Sequence, residues 1–241
     1  MKPDRRGELP SGYVSGPDAA TQATAMALAR AAGARAVVLV EGVSDQIAVE
    51  TLAGRRGQRL SAEGVTVIPV GGAHAITRYL MRFGPGGARA GLAGLCDAGA
   101  EHIVRRGLAA AGVGSPRSRA DLERVGFHVC EQDLEEELIR AAGAPLAEEL
   151  LGAHGDLGSF RTMQRQPAWR GKPREAQLWR FLGAGSYRKL RYARLLVDAI
   201  DLNRMPKPLD AVLAAIPETA GDERVLAVIR KQTEQLRRNQ R

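Results

Sequence analysis

Acidic residues follow three apolar runs of the chain in a pattern that could bind a divalent cation. Glu41 directly ends the run AVVLV, and Asp45 lies four residues later. Asp97 ends the run GLAGLC in the same way, and Asp133 and Glu135 follow the run FHVC. A carboxylate at the end of a buried strand needs a partner, and carboxylate oxygens are preferred ligands of Mg²⁺ and Mn²⁺. These five side chains are our candidate metal ligands, with Mg or Mn as the expected cofactor.

A purely structural role stays open for some of these acids. Asp45 and Asp133 can be N-caps, because a carboxylate accepts hydrogen bonds from the free amides of a first helical turn. The stretch 135–137 can be a solvated first turn, favoured by the helix dipole. Glu41 and Asp97 have no such simple explanation, so the metal-site hypothesis depends mainly on them.

The apolar runs that precede these acids are typical of buried strands alternating with helices. The predicted strands lie at 36–42, 65–72, 91–99 and from Phe127 onward. A helix is predicted at 18–32, before the first strand, and helices at 45–55, 75–83 and 101–111 lie between the strands. The segment FHVCEQDLEEELIRAAG is predicted to contain the fourth strand and a helix after it. This alternation predicts an α/β fold with a parallel four-stranded sheet flanked by helices, and chemistry in such sheets collects at the carboxyl ends of the strands.

Beyond about residue 145 the strand pattern disappears. Helical segments are predicted at 146–153, 174–183, 187–201, 208–216 and 223–238. We therefore divide the chain into a mobile N-terminal arm (1–16), an α/β domain (17–144) and a basic α-helical C-terminal region (145–241).

The net charge of +8 is unevenly distributed. Residues 1–150 contain 17 Lys or Arg and 18 Asp or Glu, whereas residues 151–241 contain 18 and 9. This asymmetry favours a polyanionic partner, with an unoccupied basic surface as the alternative. Segment 161–194 has ten basic residues and one acid, interspersed with aromatic residues, which suits phosphate contacts and base stacking. The predicted nucleic-acid-binding residues are Arg161, Arg165, Arg170, Lys172, Arg188 and Arg191.

Four ordered motifs of the sequence resemble the Toprim domain, and in particular that of the OLD (overcoming lysogenization defect) nuclease family. They are VEGVSD (40–45), IPVGG (68–72), LCDAG (95–99) and DLEEEL (133–138). The resemblance covers roughly residues 33–142. It implies a Rossmann-like Toprim sheet and a Mg- or Mn-dependent endonuclease of the Toprim nucleotidyl transferase or hydrolase type. Its expected substrate is nucleic acid, with DNA favoured over RNA.

The resemblance also implies roles for individual residues. Glu41 matches the general acid/base or metal ligand of the family, and Asp97 matches a Mg²⁺ ligand. Lys189, in the segment SYRKLRYARLL, matches the basic residue that stabilises the phosphate. The positions that the family uses for a second metal correspond to Asp45, Asp133 and Glu135.

Two departures from the family pattern leave an alternative function open. The D-x-D motif is Asp97-Ala98-Gly99 here, and Glu101 is a substitute at a different spacing; Gly99 can also reflect a turn that needs a positive φ. No G-x-x-x-x-G-K-[ST] motif occurs, so the ATPase of OLD proteins would come from a separate partner or be absent. The alternative is a catalytically degenerate Toprim module that binds nucleic acid or a nucleotide and works with a separate partner. A homodimer is also open.

Other classes of protein fit the sequence less well. A phosphatase-like or receiver-like domain could use Asp97 as a nucleophile, but no D-x-D-x-[TV] motif occurs. A dinucleotide site lacks the G-x-G-x-x-G motif after the first strand. No run of eighteen apolar residues predicts a membrane span, and the N-terminus lacks an apolar signal core. Cys96 and Cys130 fit buried positions in a reducing compartment, so we expect a cytoplasmic protein with no membrane partner.

Overall fold

A single parallel sheet forms the centre of the computed structural model, which describes residues 13, 16 and 18–216. Its strands are β1 (Ala36–Val40), β2 (Val65–Pro69), β3 (Gly91–Asp97) and β4 (Phe127–Cys130), in the order β2-β1-β3-β4. The predicted α/β fold with a four-stranded parallel sheet is confirmed. Most of the arm predicted over 1–16, and the helix predicted over 223–238, lie outside the described residues.

Helices connect the strands and then continue as a helical C-terminal part. The connecting helices are α1 (Ala19–Arg30), α2 (Val43–Arg55), α3 (Ile76–Phe83), α4 (Glu101–Ala110) and α5 (Arg119–Arg124). The later helices are α6 (Leu134–Ala153), α7 (Leu157–Gln164), α8 (Arg174–Gly183), α9 (Ser186–Ala199) and α10 (Lys207–Ala214). From β1 the chain passes through α2 to β2 and then crosses back through α3 to β3, on the other side of β1. The gap between β1 and β3 is therefore the topological switch point of the sheet, where such folds bind ligands.

Both faces of the sheet are buried, which explains why its strands are unbroken apolar runs. Successive side chains of a strand point to opposite faces. Val38 and Val40 of β1 therefore join the core beneath α2, α6 and α8 to α10, whereas Val37 and Leu39 join the core beneath α1, α3, α4 and α5.

The C-terminal helices pack back onto the sheet. Val197 of α9 and Val212 of α10 share one apolar cluster with Val38 of β1. Helix α6 is broken at Gly143, where φ is 74°, and Pro145 follows directly. This break lies next to the predicted division of the chain at residue 144, but the cluster continues across it. Residues 145–216 thus cover one face of the sheet.

Two helices were not predicted from the sequence, α5 and α7. The signal for α5 was present, because Ser118 and Asp121 form a reciprocal capping box at its start. The Ser118 side chain accepts from the amide of Asp121 at 3.2 Å, and the Asp121 side chain accepts from the amide of Ser118 at 2.9 Å. Within residues 18–216, no helix combines the length and the apolar character needed to cross a membrane.

Candidate metal centre

The carboxylates that follow β1 and β3 meet at the switch point of the sheet. The backbone N–H of Asp97 donates to Oε1 of Glu41 at 3.0 Å. The two strands are adjacent and parallel, with Leu39 paired to Gly94, so their carboxyl ends lie at the same edge. The sheet therefore brings Glu41 and Asp97 together, as the hypothesis of a shared site requires.

The turn after β2 supports the backbone of Glu41. The N–H groups of Gly71 and Gly72 donate to the carbonyl oxygen of Glu41 at 3.2 and 3.0 Å. These two glycines have φ of 78° and 102°, a region that L-residues with side chains rarely adopt. The turn therefore requires glycine at both positions, and its two hydrogen bonds hold the backbone of Glu41 in place.

Asp45 lies in the first turn of α2 and turns back toward the start of the helix. Its Oδ2 accepts from the N–H of Gly42 at 2.8 Å, so Gly42 is the N-cap of α2 and Asp45 is the N3 residue of a capping box, not the N-cap that the sequence suggested. Burial raises the pKa of Asp45 well above its usual range, and the negative charge of Glu135 adds to this. The Lys189 ammonium and the Gly42 amide act in the opposite direction. Asp45 therefore belongs to the same electrostatic cluster as Glu135 and Lys189.

Asp133 is the N-cap of α6, and both of its carboxylate oxygens are engaged. Oδ1 accepts from the amide of Glu136 at 2.8 Å, and Oδ2 accepts from the indole Nε1 of Trp179 at 2.7 Å. The capping interpretation of Asp133 is thus observed. The contact with Trp179 was not predicted, because 46 residues separate the two and no sequence spacing indicates it.

Glu135 and Lys189 form an ion pair at the edge of the cluster. Nζ of Lys189 lies 3.2 Å from Oε1 of Glu135, which is only 7% exposed. Burial alone would lower the pKa of Lys189, but the charges of Glu135 and Asp45 outweigh it and raise that pKa. Lys189 therefore stays protonated and offsets part of the negative charge.

The cluster holds more negative charge than Lys189 can balance. Burial, followed by the charges of Glu41, Asp133 and Glu135, raises the pKa of Asp97 from 3.8 to about 7. Carboxylates that repel one another in this way fit a divalent cation in donor type and in charge. However, among residues 13, 16 and 18–216, no three His, Cys, Asp or Glu side chains converge in an arrangement that would hold a metal. The contacts described above engage one carboxylate oxygen each of Glu41, Asp45 and Glu135.

Gly99 replaces the second aspartate of the D-x-D motif without a conformational reason. It lies in the short 3-10 turn Ala98–Ala100, and its φ is not in the left-handed region. A Cβ at this position would meet no atom within 4 Å. The interpretation that Gly99 is needed for a positive φ is therefore wrong. The substitute Glu101 is paired with Arg105 at 3.4 Å and Arg119 at 3.3 Å.

Comparison with known proteins finds one family model that is similar to part of the chain. Residues 34–84, from the start of β1 to the end of α3, match the family model described as "Overcoming lysogenization defect protein-like, TOPRIM domain". This segment of the chain is similar to the Toprim domain of OLD-like proteins. The matched segment includes Glu41, Asp45 and the turn at Gly71 and Gly72. The carboxylates after β3 and β4 and Lys189 lie beyond it, so their assignment depends on structure.

Solved structures extend the similarity beyond that segment. The C-terminal region of the Xanthomonas campestris pv. campestris OLD protein superposes with a TM-score of 0.57 and 26% identity, covering 76% of this chain and 94% of that one. The C-terminal region of the Burkholderia pseudomallei OLD protein has a TM-score of 0.56 and 20% identity, covering 76% and 96%, and shows the fold alone. No curated protein sequence matches the chain.

One of the predicted nucleic-acid-binding residues, Arg191, lies in the interior. Its side chain is 1% exposed, its Nη1 lies 3.0 Å from Oδ2 of Asp156, and its Nη2 donates to the carbonyl of His154 at 3.2 Å. The prediction that Arg191 contacts nucleic acid is therefore wrong. The buried pair with Asp156 instead anchors α9, the helix that carries Lys189.

The other predicted basic residues differ in how far they are already engaged. Arg161 pairs with Glu148 at 2.6 Å, and Arg188 donates to the carbonyl of Phe181 at 3.0 Å. Arg165, Arg170 and Lys172 are exposed near the loop between α7 and α8, and none pairs with a carboxylate of the described residues. These three stay our prediction for phosphate contacts in this region.

Proposed function

We propose that this Toprim domain hydrolyses phosphodiester bonds in nucleic acid, with DNA as the expected substrate. The proposal is supported above all by the contact between the amide of Asp97 and Glu41, at the switch point of the sheet. This contact joins the backbone of Asp97 to the carboxylate of Glu41 on neighbouring strand ends, and burial followed by the charge of Glu41 raises the pKa of Asp97 to about 7. Such perturbed acids in one place are typical of catalytic and metal sites.

In this proposal Glu41, Asp45, Asp97 and Glu135 would hold Mg²⁺ or Mn²⁺. A bound metal polarises a phosphate and lowers the pKa of water. Asp133 takes a positioning role, because both of its oxygens already bind the amide of Glu136 and the indole of Trp179. It orients the start of α6, from which Glu135 extends.

The protein side chains then account for proton transfer and charge. Oε1 of Glu41 is held by the amide of Asp97, and its other oxygen accepts the proton of the attacking water. The water oxygen bonds to phosphorus, the bond to the leaving oxygen breaks, and that oxygen takes up a proton from solvent water, to which Glu41 then returns the proton that it accepted. Lys189, 43% exposed beside Glu135, offsets the negative charge that accumulates on the phosphate oxygens.

Cleavage of supercoiled plasmid in Mg²⁺ or Mn²⁺ tests the proposal. Glu41→Gln and Asp97→Asn should each lower the cleavage rate by about 100-fold or more, as the loss of an acid-base group or a ligand does. Glu149→Gln is the matched control, because Glu149 is exposed and has no hydrogen bond or ion pair among the described residues. Full cleavage by Glu41→Gln would overturn the proposal.

A binding module without hydrolysis is the second candidate. It is favoured by Gly99 in place of a second aspartate, and by the lack of three converging metal-binding side chains in the described part of the chain. In that case wild-type protein binds nucleic acid in a salt-dependent manner but leaves plasmid intact in both metals. Glu41→Gln would then bind as wild type does.

A further inference from the structure

A groove between α1 and α3 is lined by no carboxylate of the cluster, but one of its lining residues contacts the backbone of Glu41. Its volume is about 720 Å³, and its floor is the end of the β2 region, at Val70 and Gly71. The N–H of Gly71 donates to the carbonyl oxygen of Glu41 at 3.2 Å. The groove therefore reaches within one hydrogen bond of the residue at the centre of the proposed site.

The two walls of the groove differ in character. The α1 wall consists of uncharged residues, most of them small, among them Thr21 and Ala25. It is fixed to the sheet by Thr24, whose hydroxyl donates to the carbonyl of Pro69 at 2.7 Å. The α3 wall presents the basic residues Arg78 and Arg82. Neither α1 nor α3 contains an acidic residue.

Both arginines of the α3 wall are oriented by aromatic rings and free of carboxylates. The guanidinium of Arg78 lies 4.8 Å from the ring centroid of Tyr79, and it donates to the Tyr79 hydroxyl at 3.1 Å. The guanidinium of Arg82 lies 5.4 Å from the ring centroid of Phe83. Neither pairs with an acid among the residues that the structure describes. Their remaining N–H groups can therefore donate to phosphate oxygens. The planar guanidinium group fits the geometry of phosphate and carboxylate groups.

The spacing of these arginines suits a polymer of phosphates. Arg78 and Arg82 are four residues apart on one face of α3, which separates them by about 6 Å along the helix axis. By contrast, Arg161 and Arg191 of the C-terminal helices already pair with Glu148 and Asp156. The α3 wall thus offers positive charge that no acid of the described residues neutralises, in a groove whose lining residue Gly71 contacts the backbone of Glu41.

We infer that the α1–α3 groove binds the phosphodiester backbone of a nucleic-acid strand whose neighbouring phosphate lies at the carboxylate cluster. The recognition is independent of base sequence, because guanidinium groups read the phosphates and the α1 wall offers no charged group for specificity. This inference rests on the proposed function, since it assumes that the strand in the groove continues to the site of Glu41.

The test is fluorescence anisotropy of a labelled single-stranded oligonucleotide, titrated with protein in Ca²⁺ over a series of NaCl concentrations. Arg78→Gln with Arg82→Gln should weaken binding at every sequence tested and lower the slope of log K against log salt by about 1.4, or about 0.7 for each lost phosphate contact. Ala25→Glu, in the opposite wall, should weaken binding as well, because it adds a negative charge at an exposed helical position. Arg204→Gln with Lys207→Gln is the control, since it removes the same charge beside β4, at the other edge of the sheet.

The possible outcomes separate this inference from the proposed function. An unchanged salt slope in Arg78→Gln with Arg82→Gln, while wild type binds, overturns the groove assignment even if Glu41-dependent cleavage is observed. A reduced slope in that variant, with an unchanged slope in the control, supports the groove even if wild type does not cleave plasmid. Displacement of the labelled oligonucleotide by a lower concentration of polyglutamate than of unlabelled oligonucleotide would mean that the groove prefers an acidic protein partner, and would also overturn the inference.

Discussion

Nζ of Lys189 lies 3.2 Å from Oε1 of Glu135, so a residue of α9 supplies the positive charge for carboxylates that follow the strands. The two residues come from helices that pack side by side on the same face of the sheet. This arrangement links the helical C-terminal part to the chemistry of the strand ends. A cation that binds Glu135 must compete with Lys189. We therefore expect the stability of the folded protein and its pH dependence to change when metal binds.

Metal should stabilise the folded protein. A cation that binds only the folded state adds about 2.7 kcal/mol at 100 times its Kd, and each kcal/mol corresponds to about 2–4 °C for a chain of this size. Mn²⁺ or Mg²⁺ should therefore raise Tm by several degrees in differential scanning fluorimetry. Asp97→Ala should remove the shift, whereas Glu149→Gln should keep it. A full shift in Asp97→Ala would mean that the site is located elsewhere.

In the presence of a chelator, stability should fall as pH rises. The folded-state pKa of Asp97 is about 7, above the ordinary value of 3.8, because of burial and the neighbouring carboxylates. The folded state thus binds the proton of Asp97 more tightly than the unfolded state does. Ionisation of Asp97 therefore lowers the free energy of unfolding increasingly between about pH 4 and pH 7, and by a constant amount above pH 7. In urea unfolding, the free energy of unfolding of Asp97→Asn should exceed that of wild type by an amount that increases from about pH 4 to about pH 7. A difference independent of pH would contradict the raised pKa.

Two ion pairs of α9 should differ strongly in their contribution to stability. Arg191 and Asp156 are 3.0 Å apart and nearly inaccessible, whereas Arg194 and Asp198 are 3.2 Å apart and each 42% exposed. Arg191→Met leaves a buried carboxylate without its cation, so it should cost about 3–5 kcal/mol of unfolding free energy. Arg194→Met should cost less than about 1 kcal/mol, because exposed pairs contribute little. Equal losses in urea unfolding would show that Arg191 is not buried in solution.

This contrast illustrates what the sequence could and could not predict. The strands are local, unbroken apolar runs, and the parallel topology rule was enough to bring Glu41 and Asp97 to one edge. Arg191 was assigned to the surface because it lies in a basic segment. Its burial depends on Asp156, 35 residues earlier, and on how α9 packs, which no local pattern encodes. The contact of Trp179 with Asp133 escaped prediction for the same reason.

The exposed basic loop between α7 and α8 should contribute to nucleic-acid binding. Ending the chain near residue 144 would test this poorly, because residues 145–216 cover an apolar face of the sheet. Arg165→Gln with Lys172→Gln is sharper, since both residues are exposed and unpaired with carboxylates in the described part of the chain. Affinity for an oligonucleotide should fall several-fold and the salt slope should decrease by about 0.7 per contact, relative to Arg204→Gln with Lys207→Gln. Unchanged binding would place the contact surface on the α/β core.

The last prediction concerns Gly99, which stands where the D-x-D motif has its second aspartate. The position has an ordinary φ and open space around it, so Gly99→Asp should fold normally and add a carboxylate two residues after Asp97. We expect tighter Mn²⁺ binding by isothermal titration calorimetry, because a further oxygen ligand strengthens a site for hard cations. Gly158→Asp is the control, since its surroundings are equally open and it lies in α7, outside the cluster. Tighter binding with faster plasmid cleavage would support the nuclease, and tighter binding without cleavage would favour the binding module. Unchanged affinity in a folded variant would show that the new carboxylate does not reach the cluster, and would contradict our placement of the motif.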